Sequence, residues 1–181
     1  MARPLTLGAR LFRIVMEKEK GIVSALEPCW LLSGTVIKGF GRGSKELGIP
    51  TANLDAKCLK DVDDKEGSSL VSGIYCGFAS KGLEREVHPM VMSIGWNPFY
   101  KNKERTCEPW ILHDFESDFY GEELRLVVCA YIRPEQNFTS LEDLVARIHE
   151  DARVTREALQ EDRFESLKSH AFLKPKEAAK E

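Results

Sequence analysis

No stretch of this sequence approaches the ~18–20 consecutive apolar residues of a membrane-spanning helix, so a helical membrane protein is excluded and a soluble chain is expected. Thiols are few and scattered. Cys29, Cys58, Cys76, Cys107 and Cys129 are odd in number and widely spaced, and no C-x-x-C occurs. Disulfide frameworks and zinc–thiolate sites need paired or clustered thiols, so these are expected to be reduced residues of a cytoplasmic protein. An excess of either charge is also missing. The 26 Lys and Arg nearly balance the 29 Asp and Glu, leaving a net charge of −3. No basic, aromatic-laced stripe marks a nucleic-acid partner, so any handling of phosphate must rest on a local device. No internal repeat occurs. What remains is ordinary globular composition, 43% hydrophobic over 181 residues, enough for one domain with tails.

The ends stand apart from the middle. Residues 1–15 carry Arg3, Arg10 and Arg13 without an acid, around Leu5, Leu7, Leu11, Phe12 and Ile14. Such a segment is either a frayed amphipathic tail or an organelle-targeting presequence. The expectation is a cytoplasmic protein, with organelle targeting through this segment as the alternative. Residues 1–30 read as an N-terminal extension, 31–165 as the domain and 166–181 as a charged tail. Asn137-Phe138-Thr139 matches a glycosylation acceptor but carries no weight without a secretory signal.

Between the ends, short β-rich runs alternate with turn residues. Strands are expected over 32–38, 73–80, 87–95, 108–114 and 123–132, with a hairpin across 81–86. In the last strand Leu124, Leu126, Val128, Ala130 and Ile132 fall at alternate positions and are expected to share one face. Strands in series without helical crossovers argue for an antiparallel barrel or sandwich. A helix should follow, started by a capping box at Thr139-Ser140-Leu141-Glu142 and running to about residue 160. Its stripe of Leu141, Leu144, Val145, Ile148 and Ala152 is expected to pack on the barrel. The acidic stretch 61–66 fails as a calcium loop, because its sixth place is Glu66 and its twelfth Ser72, and is expected to be a solvated loop.

The densest chemical signal is Gly39-Phe40-Gly41-Arg42-Gly43-Ser44-Lys45, just after the first strand. Alternate glycines let the backbone approach a ligand closely, and consecutive amides there form an anion nest. The loop is neither a P-loop nor a dinucleotide fingerprint, since the places where those motifs need glycine hold Ser44. A mobile turn is the alternative. Gly48-Ile49-Pro50-Thr51-Ala52-Asn53 follows. Proline favours an extended Ile49, and residues two apart in an extended chain point the same way, so Thr51 and Asn53 offer two neutral oxygens suited to Mg²⁺ or to capping a turn. Glu108 opens a strand whose alternate positions are Trp110 and Leu112, so it is expected on the apolar, inward face, where a carboxylate needs a role or a partner. Pro109 implies an edge. The loop 115–122 mixes aromatics and acids, as a lid over a planar ligand or as a solvated connection.

Taken together, Gly39-Phe-Gly-Arg-Gly-Ser-Lys, Leu47-Gly-Ile-Pro-Thr-Ala-Asn, Ser93-Ile-Gly-Trp-Asn-Pro, Asp118-Phe-Tyr-Gly-Glu and Ile132-Arg-Pro-Glu resemble the riboflavin kinases, most of all the eukaryotic monofunctional type. The resemblance spans roughly residues 31–160. It implies an all-β core, a six-stranded antiparallel Greek-key barrel with a C-terminal α-helix, and transfer of the ATP γ-phosphate to the riboflavin 5′-hydroxyl. It also implies that Thr51 and Asn53 hold Mg²⁺, with Zn²⁺ or Mn²⁺ as substitutes, and that Gly39, Gly41, Gly43, Ser44 and Lys45 form a flap over ATP. Glu108 falls at the catalytic base, His113 and Tyr120 near the nucleotide, and Trp96, Asn97 and Arg133 on the flavin side. Cys107-Glu108-Pro109-Trp110 departs from the family, which commonly has less bulky residues after the glutamate. Only four histidines are present and none forms an H-x-G-H motif, so the chain is expected to stop at FMN, acting as a monomer. The alternatives are a non-catalytic flavin-binding barrel and a kinase for another polyol or vitamin.

Overall fold

A computed structural model describes residues 23–39, 46–63, 70–96 and 105–175. The N-terminal targeting question, the loop residues Gly41, Gly43, Ser44 and Lys45, and Asn97 lie outside these residues. Six strands, β1 (Ser24–Ile37), β2 (Asn53–Leu54), β3 (Gly73–Lys81), β4 (His88–Trp96), β5 (Arg105–Ile111) and β6 (Glu123–Arg133), close a barrel in the order β1-β2-β5-β4-β3-β6. Every pairing is antiparallel. Strands β3, β4 and β5 form a meander and β6 returns beside β3, which is the Greek-key arrangement. The expected hairpin is present: the amide of Glu84 donates to the Lys81 carbonyl at 2.9 Å, and Gly82 takes a left-handed φ of 48°.

Three elements differ from their local pattern, and one of them, β5, runs Arg105–Ile111 and not 108–114, so Glu108 lies inside the strand and does not open it. Strand β1 begins at Ser24, ahead of the expected start, because an irregularity between Ala25 and Trp30 interrupts its alternation. Strand β2 is only two residues long and has no periodicity to read, yet it closes the barrel between β1 and β5. In β6, Leu124, Leu126 and Val128 do enter the barrel interior, with Leu32, Met90, Met92 and Ile94. Ala130 and Ile132 do not. The register against β3 jumps from Gly77↔Val128 to Cys76↔Ala130, and one extra residue moves everything beyond it to the other face. Ala130 and Ile132 therefore belong to a second cluster outside the barrel, and Tyr131 turns inward. At this bulge the backbones approach so closely that a Cβ on Gly77 would strike the Val127 carbonyl.

Three α-helical segments are present among the described residues: α1 (Lys60–Asp63), α2 (Leu141–Ala158) and α3 (Asp162–Glu165). The acidic stretch thus begins as a helical turn and not as a loop. Helix α2 is capped by Ser140, one residue later than the expected Thr139: the Ser140 hydroxyl accepts from the Asp143 amide at 3.0 Å. Its buried face is Asp151, Ala152, Thr155 and Ala158, while Leu141 at the first turn is 52% exposed. The apolar stripe therefore packs fully only in the second half of the helix. There, with Leu159, Phe164 and Leu173, the C-terminal segment covers Cys76, Phe78, Val127 and Cys129 on the outer faces of β3 and β6. Ser140→Ala is expected to remove about 1 kcal/mol of stability. A thermal melt would show this as a Tm lower by about 2–4 °C.

Candidate active site

The site is set by how the chain between β1 and β3 lies against β5. Gly48, with a left-handed φ of 72°, turns the chain, and Ile49, 2% exposed, is buried directly after it. The amide of Ala52 then donates to the Pro109 carbonyl at 2.9 Å. Leu54 pairs with Cys107, and the antiparallel register carries Asn53 opposite Glu108. Opposed residues point to the same side of a sheet with Cβ atoms about 4.5–5.5 Å apart. The carboxamide and the carboxylate therefore stand side by side. Asn53 also pairs with Ile37 across β1, and its carboxamide lies against the Cα of Gly39, where an added Cβ would come within 2.7 Å of the Asn53 Cγ. Gly39 is needed here for space.

Glu108 is not on the barrel-facing side. Cys107, Pro109 and Ile111 are the buried positions of β5, and Glu108 and Trp110 face outward and are half-buried. The apolar alternation misled because both faces of β5 are covered: Trp110 meets the His149 ring of α2 at 5.8 Å. Pro109 belongs where the missing amide would point towards β2, whose ladder is two residues long; no open edge is required. Two charged neighbours had no readable signal in the sequence. Arg105 donates to the Leu70 carbonyl at 2.7 Å and lies 4.3 Å from the centre of the Trp96 ring. Glu135 packs its carboxylate on Gly95. Partial burial pushes the Glu135 carboxyl above the usual range, with Arg105 opposing and the negative charge of Glu108 adding to the rise.

Beside Pro50 and Ala52 lies a cavity of about 240 Å³, closed by Pro109, Ile111, His113, Phe115 and Phe119 and rimmed by Asp114, Glu116 and Asp118. The loop after β5 turns its two phenylalanines in and leaves its acids exposed. Phe115 and Phe119 meet edge-on at 4.8 Å, with Lys81 Nζ over both rings at 5.0 and 5.3 Å. Tyr120 is 58% exposed and is not part of the cavity wall. Trp96, 46% exposed, ends β4 under Arg105.

Arg133 is held apart from these groups. Its Nε and Nη2 donate to Asp151 at 2.9 and 2.6 Å, and its Nη1 to the Pro134 carbonyl at 3.0 Å. Arg147 reaches the same carboxylate at 2.9 Å. The structure thus brings Gly39, Asn53 and Glu108 to one place, with Thr51 two residues before Asn53 in the same segment, and sets His113 on the adjoining cavity, while Arg133 ties α2 to β6.

A closed β-barrel with an aromatic-walled cavity beside the Asn53–Glu108 pair is the architecture of a small-molecule binding site, and the comparisons with known proteins make it a kinase. The family model described as Flavokinase, riboflavin kinase, matches residues 26–159. The chain belongs to the riboflavin kinase family. It is 45% identical over 140 residues to the human riboflavin kinase, covering 77% of this chain and 87% of that protein. It is 56% identical over 144 residues to the bifunctional riboflavin kinase/FMN phosphatase of Arabidopsis thaliana, covering 80% of this chain but only 37% of that longer protein. The crystal structure of riboflavin kinase from Trypanosoma brucei superposes with a TM-score of 0.62 at 28% identity, over 83% of this chain and 93% of that one.

Proposed function

We propose that this chain phosphorylates riboflavin, with Glu108 as the base. The observation that carries the reading is the β2–β5 register, which stands the Asn53 carboxamide beside the Glu108 carboxylate. In the reaction the ribityl 5′-oxygen forms a bond to the γ-phosphorus of ATP, the bond from that phosphorus to the β–γ bridging oxygen breaks, and the hydroxyl proton passes to Glu108. FMN and ADP result. Phosphoryl transfer depends mostly on position and charge, and the protein's work here is to orient the alcohol and receive its proton. The cavity between Pro50 and Phe119, with apolar walls at Pro50, Ile111, Phe115 and Phe119 and polar groups at its rim, suits the adenine of ATP.

The donor set fits Mg²⁺. Thr51 and Asn53 offer uncharged oxygens in an extended segment, and a hard cation of this kind takes few protein ligands and completes its shell with water and phosphate oxygens. When bound, Mg²⁺ neutralises phosphate charge. The five free thiols fit a reducing compartment such as the cytoplasm. Among the described residues no helix is long and apolar enough to cross a membrane. Of the exposed large apolar side chains only Leu31 and Ile37 share an element, β1, while Leu83, Trp96, Tyr120 and Leu141 lie elsewhere in the chain, which fits a monomer.

The test is FMN formation, separated from riboflavin by chromatography, with ATP and Mg²⁺ present and with each left out in turn. Turnover requiring all three components supports the reading; no turnover sinks it. Gly39→Ala is expected to displace the Asn53 carboxamide and lower kcat/KM for ATP about 10–100-fold. Its melting curve should stay near wild type, because the Gly39 φ is not left-handed.

A further inference from the structure

A second group of ligating side chains lies on different residues from the Thr51–Asn53 pair. The β4–β5 register pairs Met90 with Ile111, and the Leu112 amide donates to the Pro89 carbonyl at 2.9 Å, so the ladder continues and His88 faces His113. Opposed residues share one side of a sheet. Glu86 lies two residues before His88, and its Oε2 is 3.6 Å from His88 Nε2. One donor atom from each of Glu86, His88 and His113 falls within 4.8 Å of the others. His88 Nε2 is buried and makes no hydrogen bond. Buried polar atoms without a partner are rare, and ligation of an ion is one ordinary way to satisfy them.

We infer that Glu86, His88 and His113 form a zinc site, with two imidazole nitrogens and one carboxylate oxygen as ligands and water in the fourth position. Two imidazoles and a carboxylate suit Zn²⁺ and not Mg²⁺, which prefers oxygen ligands in an octahedron. Burial holds the His88 imidazole below its usual pKa, with neighbouring His113 pushing the same way. The charges around it are mixed: Glu84 and Glu86 favour a cation and Lys168 opposes one.

The rings now stack at 4.0 Å with 20° between their planes, and a shared ion requires them to splay. Ligand atoms must also close to about 3.3 Å for tetrahedral bonds near 2.0–2.1 Å. Glu86 and His113 are exposed and can make that movement, while His88 stays in place at the start of β4. Because His113 also lines the cavity beside Pro50, a bound zinc would tie the cavity wall to the β3–β4 hairpin.

The experiment is titration of the full chain with Co²⁺ followed by optical absorption, and displacement of the Co²⁺ by Zn²⁺. One equivalent is expected, retained in Asn53→Ala so that it is told apart from the Thr51–Asn53 pair, with visible d–d bands and no thiolate-to-cobalt charge-transfer band. His88→Ala and Glu86→Gln should each weaken Zn²⁺ binding by about tenfold or more. A melting curve checks that His88→Ala is folded, and Glu86→Gln, at an exposed hairpin position, gives the same readout without threatening the barrel. The proposal is overturned by no uptake, by wild-type affinity in both variants, or by a charge-transfer band that assigns the ion to cysteines.

Discussion

Glu108→Gln is expected to lower kcat for FMN formation by about 10²–10⁴-fold, the range typical of a lost general base. Glutamine keeps the shape and the hydrogen-bonding oxygen of glutamate but has no basic carboxylate to take the ribityl proton. Glu108 lies on the outward, half-buried side of β5, so the substitution leaves the packed interior of Cys107 and Ile111 untouched. Stability should shift by no more than about 0.5 kcal/mol, as at positions outside the core. The measurement is chromatographic FMN production under saturating riboflavin and ATP, alongside a thermal melt. Full activity in a folded Glu108→Gln protein would remove this residue from the chemistry. Loss of activity together with loss of folding would make it a structural residue instead.

Asp151→Ala should produce the largest stability change. Its carboxylate is only 2% exposed and accepts from Arg133, whose side chain is 9% exposed, and from Arg147. Removing the acid leaves the Arg133 guanidinium buried without its counter-charge, a change that costs about 3–5 kcal/mol. For a chain of this length that is a fall in Tm of about 6–20 °C. Arg147→Ala serves as the contrast. That side chain is 34% exposed, so water replaces it and the loss should stay within about 1 kcal/mol. Equal effects from the two substitutions would show that the carboxylate is not compensating a buried charge. Arg133 was expected near the flavin from the resemblance alone; the structure shows a guanidinium already spent on joining α2 to the barrel, with its remaining N–H groups left for any ligand.

Much of the barrel was readable locally. Turn residues bounded β3, β4 and β6 to within a residue or two, and the Ser/Thr-rich start of α2 announced a helix, although the cap proved to be Ser140 and not its neighbour. The site was readable as residue types, because an extended Thr51-Ala52-Asn53 needs only local geometry to point its oxygens one way. What failed was any inference about faces. Trp110 made the outer side of β5 look like a core, because alternation reports that a face is apolar without saying what covers it. The bulge in β6 likewise reversed the faces of Ala130 and Ile132 with no mark in the sequence.

By itself, then, the sequence determined the strand-and-helix order, the absence of membrane-spanning runs, and the set of oxygen donors and carboxylates from which a phosphotransferase site is made. Each of these depends on neighbours within a few residues. Only the tertiary structure decided that a two-residue β2 closes the barrel, that Asn53 faces Glu108, that His88 faces His113, and that Asp151 neutralises Arg133. Those partners are far apart in the chain, and their meeting depends on ladder register and packing, where a shift of one residue sends every side chain to the opposite face.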